Sequence, residues 1–316
     1  MSKALALLVA ASISFVPTAA HASQYKESSK CSVVGSQYQD LKCVNIGKKK
    51  VWVAQKFVPW SEKFSEVAMS KASQKSFADW VSKSGTAKLP EYYTDVTDKK
   101  YITSYIYSAK AVASINPDAR VVLAQSVASA KDILNKNGIW YPTDGTNVCY
   151  ASSYLMGCNN LKNVGIAILN GSGTSVPAQA ILAHENFHSV QSYLGKFDGH
   201  TARSIPSWFE EGTADYFGYM SYACANNVSY FTNVPRVGNA VHITNNSYDP
   251  YNDGRMAVEY IVASTGFQSV VDVYKNYGLG LSFADAFKTG VGITLEDFYK
   301  KLKSFKKCLT RSSEML

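Results

Sequence analysis

The amino-acid sequence predicts an α+β fold: a small mixed or antiparallel sheet, a helix bearing two histidines, and a mostly helical C-terminal part. Three observations lead there. Two short runs rich in β-branched and aromatic residues, 101–107 and 164–169, read as strands and precede residue 170. Beyond residue 173 the apolar residues recur mainly at helical spacing. The segment 174–195 carries helix signals at both ends. Thr174 or Ser175 can cap it, Pro177 falls in the first turn where its missing N–H costs nothing, and Gly195 stands just beyond Tyr193.

The N-terminus reads as a targeting signal. Lys3 precedes an apolar run, 4–16, that is too short to span a bilayer comfortably, and Ala20-His21-Ala22 supplies a small-x-small cleavage pattern. Cleavage between Ala22 and Ser23 would leave a secreted or periplasmic protein with no stable membrane insertion; a retained anchor is the alternative. Residues 23–110 have no assigned fold and stay open between a propeptide and an accessory domain, and 111–316 form the second region. Along the chain, 60–83 reads as a helix broken by Gly85 to Pro90. Residues 118–136 read as a helix ending at Asn137-Gly138, and further helices fit 254–264, 267–276, 282–288 and 294–306. Thr294 caps the last of these, with Asp297 in its first turn.

Composition bounds the chemistry. With 46% hydrophobic residues in 316, the chain has ample material for a core. Six cysteines in an exported chain imply three disulfides, and the simplest closures are Cys31–Cys43 and Cys149–Cys158, leaving Cys224 with Cys308. The formal charge of +8 is spread out, with local runs at Lys48-Lys49-Lys50 and in 300–307. No zinc finger, phosphate loop or stacked-aromatic pattern accompanies it, so it reads as a solvated basic surface and not as a nucleic-acid site.

The informative segment is His184-Glu185-Asn186-Phe187-His188. On a helix, residues four apart share a face, so both imidazoles can reach one ion at about 2.0–2.1 Å. Glu185 then stands beside the first ligand, placed to take a proton from an activated water and pass it to a leaving amine. The plain alternative is a pair of surface histidines on an ordinary helix. Two histidines leave a ligand missing, and downstream stands Trp208-Phe209-Glu210-Glu211-Gly212-Thr213-Ala214-Asp215-Tyr216.

Here the sequence resembles the gluzincins, the zinc peptidases that include thermolysin and the neutral aminopeptidases. The resemblance covers roughly 164–303 and implies a zincin-like catalytic domain holding one zinc ion. It makes Glu211 the third ligand and Asp215, four residues on, the hydrogen-bond partner of His184. Glu210 is the rival ligand, but Ser207-x-x-Glu210 also fits a capping box that would occupy it. Asp215 as a direct ligand is a further alternative. The metzincin pattern fails, since Gln191 and Leu194 stand where its Gly and third His belong. Between His188 and Glu211 lie 22 residues, a longer gap than the neutral aminopeptidases use, and His200 within it reads as a loop residue.

Neutral aminopeptidases also carry a Tyr-x-x-Gly at a helix start whose Tyr donates to the oxyanion, and Tyr251 and Gly254 match it. Tyr248 and His242 are the next donors in line. The aminopeptidase glutamate that holds a substrate amine has no counterpart in 165–174, which favours an endopeptidase acting on peptide or protein substrates. The strand 164–169 could be the one along which a peptide lies. Two other readings stay open: a catalytically degenerate binding or adhesion protein, and a zinc hydrolase of non-peptide amides or esters.

Overall fold

Three strands, β1 (Gln37–Tyr38), β2 (Leu41–Ile46) and β3 (Lys49–Ala54), form an antiparallel sheet in sequence order. The computed structural model describes residues 65–136, 175–196 and 205–303, apart from 86, 90 and 246, with residues 30 and 32 and the strands within 37–54 and 149–168. The 1–22 segment and its cleavage site, Cys31, His200 and Cys308 lie outside the described residues.

A helix α1 (Glu66–Ser82) follows, its first turn capped by the Ser65 hydroxyl. Then come β4 (Tyr92–Thr94), α2 (Lys100–Ala113), β5 (Arg120–Ala124) and α3 (Val127–Lys136). Strands β6 (Cys149–Ala151), β7 (Leu155–Asn160) and β8 (Asn163–Ile168) complete a five-stranded mixed sheet in the order β4-β5-β8-β7-β6. β4, β5 and β8 are parallel, whereas β7 and β6 add antiparallel. The rest is helical: α4 (Val176–Gly195), α5 (Ser207–Ala225), α6 (Tyr230–Asn233), a 3-10 turn (Ala240–Thr244), α7 (Asn252–Thr265), α8 (Gln268–Gly278), α9 (Phe283–Val291) and the helical residues 295–303. The α+β class expected from the sequence is therefore the one adopted. Among the described residues no helix is long and apolar enough to cross a membrane.

Several local expectations give way. Residues 101–107 are helix, not strand: Tyr101, Ile102, Tyr105, Ala109 and Val112 share a buried helical face, and that burial overrides the β propensity of the run. Residues 120–124 are strand, not helix. They are apolar throughout from Val121 because β5 lies between two parallel neighbours, where both faces are covered. The strand near 164–169 exists as β8, but it pairs with β5 on one side and β7 on the other, so it offers no edge to a peptide. Ser207 does not cap α5; Pro206 holds that position and the Ser207 hydroxyl meets Tyr248 instead. Ser175 caps α4 as expected, and Thr294 caps 295–303. The boundary considered near residue 110 falls within α2, and Met69, Phe77, Ala111 and Val112 share one apolar core with the helices after 175.

Cys224 is a free thiol beside Tyr107 and Gln74, so the pairing with Cys308 is not made. Burial pushes this thiol's pKa up. The register of β6 and β7 sets Cys149 directly opposite Cys158.

The core packs around α4 and α5. Phe77, Phe187, Phe217 and Phe267 form an aromatic cluster, with Phe187 and Phe217 stacked at 4.6 Å and Phe77 edge-on to Phe217 at 5.3 Å. Each such buried ring contributes about 1.5–3 kcal/mol through apolar burial. Two glycine contacts set the helix spacings. A Cβ on Gly218 would lie 2.8 Å from the Ala180 carbonyl and 3.0 Å from the His184 Cβ, so only glycine lets α5 approach α4 this closely. Where α5 crosses α7, a Cβ on Gly212 would meet the Gly254 carbonyl carbon at 2.4 Å.

Gly212→Ala is therefore expected to destabilise the folded chain by about 1–3 kcal/mol through overpacking, measurable as a lower midpoint in denaturant titration with little change in the slope.

Candidate metal centre

His184 and His188 stand one turn apart on α4, and Phe187 locks the adjoining face of the helix into the aromatic cluster. His184 is buried and His188 nearly so. Across the Gly218 contact, α5 presents Glu211 and, one turn on, Asp215. Gly212 lies next to Glu211, so the tight α5–α7 crossing also fixes where that carboxylate emerges.

The donor atoms converge. His184 Nε2 and His188 Nε2 are 3.2 Å apart, and Glu211 Oε2 lies 3.6 Å from the first and 3.5 Å from the second. A tetrahedral ion with bonds of about 2.0–2.1 Å has donor–donor edges of about 3.3 Å. The triangle matches that figure on all three sides. Among the described residues these three form the group of His, Cys, Asp or Glu side chains able to share one metal ion.

The far side of each imidazole fixes its tautomer. Asp215 Oδ1 sits 3.2 Å from His184 Nδ1, and a carboxylate only accepts, so Nδ1 carries the proton. Gln191 Oε1 sits 2.6 Å from His188 Nδ1. The Gln191 amide orientation follows from its nitrogen, which donates toward the Glu210 carbonyl oxygen at 2.8 Å, with Thr213 Oγ1 at 2.7 Å and Tyr274 OH at 3.0 Å around it. His188 Nδ1 is thus a donor too. With the proton on Nδ1, each ring in its neutral form turns its Nε2 lone pair toward the Glu211 oxygen, an arrangement that a cation between them, proton or metal ion, stabilises.

The electrostatics agree. Burial by itself disfavours a charged His184, but its hydrogen bonds to Asp215 and Glu211 and the charge of Glu185 outweigh that and raise its pKa from 6.5 to about 10. His188 is raised as well: burial opposes the charge, and Glu211 chiefly overcomes it. Burial pushes Glu211 up, yet the two imidazoles prevail and hold it well below the usual carboxylate range. A site this favourable to positive charge suits a divalent ion.

The sequence-predicted residues divide cleanly. His184, His188 and Glu211 meet; Asp215 touches the outer nitrogen of His184 and so is not a direct ligand in this arrangement. Glu210 does not join the triangle; its carbonyl serves Gln191 and Thr213. Glu185 is half-buried on α4, close enough for its charge to act on both imidazoles. Tyr251, 45% exposed, stacks on His184 with ring centroids 6.2 Å apart. His242 is half-exposed, with Nδ1 3.2 Å from the buried Asp253, and Tyr248 is engaged with Ser207. Sequence reasoning missed two residues. Gln191 was legible only as a residue three places after His188. Arg255, fully buried, reaches Asp215 Oδ2 at 3.5 Å from another helix and left no local signal.

Two outcomes are expected from metal titrations. Imidazoles must be neutral to ligate, and the His184 pKa of about 10 means that a proton occupies that ring in the metal-free chain at neutral pH. Zinc affinity should accordingly rise with pH between about 6 and 8, by about tenfold per unit for each proton displaced. Gln191→Ala frees the His188 ring and should weaken zinc by about 10–100-fold, as measured by chelator competition.

Compared with protein-family models, with curated proteins and with solved structures, the chain matches none.

Proposed function

We propose that the protein is a zinc-dependent peptidase, with His184, His188 and Glu211 as the metal ligands and Glu185 as the general base. The observation that carries the reading is the near-equilateral triangle of His184 Nε2, His188 Nε2 and Glu211 Oε2, at 3.2, 3.5 and 3.6 Å, with Glu185 on the adjoining position of the same helix. Three protein ligands leave a fourth tetrahedral position open, the pattern of catalytic and not structural zinc sites. The resemblance to gluzincins at these residues supports a zincin-like arrangement of the domain.

A bound zinc ion supplies Lewis acidity, polarising the scissile carbonyl and acidifying a water molecule. The chain's own residues do the rest. Glu185 takes the proton from the attacking water at a carboxylate oxygen and delivers it to the nitrogen of the leaving amine. Tyr251, at the start of α7, would donate a hydrogen bond from its hydroxyl to the developing oxyanion, a role supported by its stacking on His184. His242, aligned by Asp253, is the alternative donor. Asp215 and Gln191 hold the two imidazoles in the ligating tautomer.

The substrate side follows from the sheet. Since β8 is interior, a peptide adding as a strand has β4 and β6 as edges among the described residues. Helix α4 packs against β7 and β8, and β6 adjoins β7, so β6 is the edge we favour for the substrate. With no acidic residue in 165–174 to hold a free amine, we favour endopeptidase action on an exported enzyme's peptide or protein substrates.

Glu185→Gln should retain about one zinc per chain and lose turnover of a quenched-fluorescent peptide library by about 10²–10⁴-fold. His188→Ala should lose both. Full activity after complete metal removal would end this reading.

A further inference from the structure

Arg255 is fully buried, and a guanidinium is kept in a protein interior only where its partners compensate the lost hydration. Its partners come from three places. Nη1 lies 3.5 Å from Asp215 Oδ2, and the guanidinium sits 4.3 Å from the ring centre of Tyr219, one turn beyond Asp215 on α5. Nη2 donates to the Pro235 carbonyl at 2.6 Å and to Asn252 Oδ1 at 3.1 Å. Asn252 opens α7 directly after Tyr251, the residue stacked on His184.

The two oxygens of Asp215 are therefore shared: Oδ1 with His184 Nδ1, Oδ2 with Arg255. A carboxylate with one partner can rotate; one held at both oxygens cannot do so without losing a charge contact. The planar fork of arginine meets Asp215, Pro235 and Asn252 in different directions at once, which the single ammonium of lysine does not do.

We propose that Arg255 is a positioning residue of the metal centre, which holds Asp215 in the orientation that fixes His184 and ties that pair to the segment presenting Tyr251. This rests on the metal-centre reading above. Arg255 is not one of the three converging donors, so its effect passes through Asp215.

The test is a double-mutant cycle on zinc affinity, measured by competition with a chromophoric chelator in the full chain. The variants are Arg255→Met, Arg255→Lys, Asp215→Asn and the doubles, with the unfolding midpoint of each metal-free protein recorded in parallel. Asp215→Asn should weaken zinc by about 10–100-fold and Arg255→Met by about tenfold, with Arg255→Lys between it and the parent. In the Asp215→Asn background, replacing Arg255 should change zinc affinity by less than about twofold, because the path is already cut. If Arg255→Met does not fold, Arg255→Lys in both backgrounds closes the same cycle.

Zinc affinity unchanged in the Arg255 variants would overturn the proposal, even with the unfolding midpoint lowered, since a purely structural role predicts that pattern. An equal loss in both backgrounds would overturn it too. Failure of the parent chain to bind zinc would instead remove the metal-centre reading itself, so the two failures are told apart by the parent titration.

Discussion

Three lone pairs aimed at one point are the constraint on which this fold turns. Two imidazole nitrogens and a carboxylate oxygen within 3.6 Å of one another repel unless positive charge lies between them. A proton on His184 meets that need in the metal-free chain, and holding the three groups in register takes a packing scaffold. The aromatic cluster behind Phe187 supplies it on the α4 side, and the glycine contacts supply it between helices. Each donor is also gripped from behind, His184 by Asp215 and His188 by Gln191, so neither ring can turn away to relieve the conflict.

The grips extend outward through buried polar groups. Gln191 joins α4 to the Glu210 carbonyl and Thr213 of α5 and to Tyr274 of α8. Asp215 leads through Arg255 to the start of α7 and the segment at Pro235. One turn further along α7 the buried Glu259 meets the half-buried Arg236, with Nη1 2.7 Å from Oε2. Burial raises the pKa of Glu259, with Arg236 opposing that rise. Buried polar networks of this kind specify one arrangement of helices more sharply than apolar contacts do, because a shifted helix leaves a charged or polar group unpaired.

Much of the centre was legible in the sequence because it depends on helix periodicity. His184 and His188 are four apart, as are Glu211 and Asp215, and each pair must share a helical face. What brings the two pairs together is long-range packing, and here the sequence offered a resemblance and no geometry. Gln191 and Arg255 went unseen for the same reason: their roles depend on partners 19 to 83 residues away for Gln191 and 40 residues away for Arg255. The misread elements failed differently. Residues 101–107 and 120–124 are both short apolar runs in which strand and helix propensities overlap, and burial partners decided the first against its β propensity and the second in line with that of its valines. Ser207 had the right residue type for a cap one position too late, with Pro206 already at the turn.

Gly218 ties the chemistry to the core in a way that reaches beyond the site. Its missing side chain lets α5 approach α4, and the spacing of those two helices bears on the distance from His184 to Glu211. Hydrophobic packing and the geometry of the candidate site are therefore linked. A drift in the core that altered this helix spacing would alter the size of the candidate metal cradle as well.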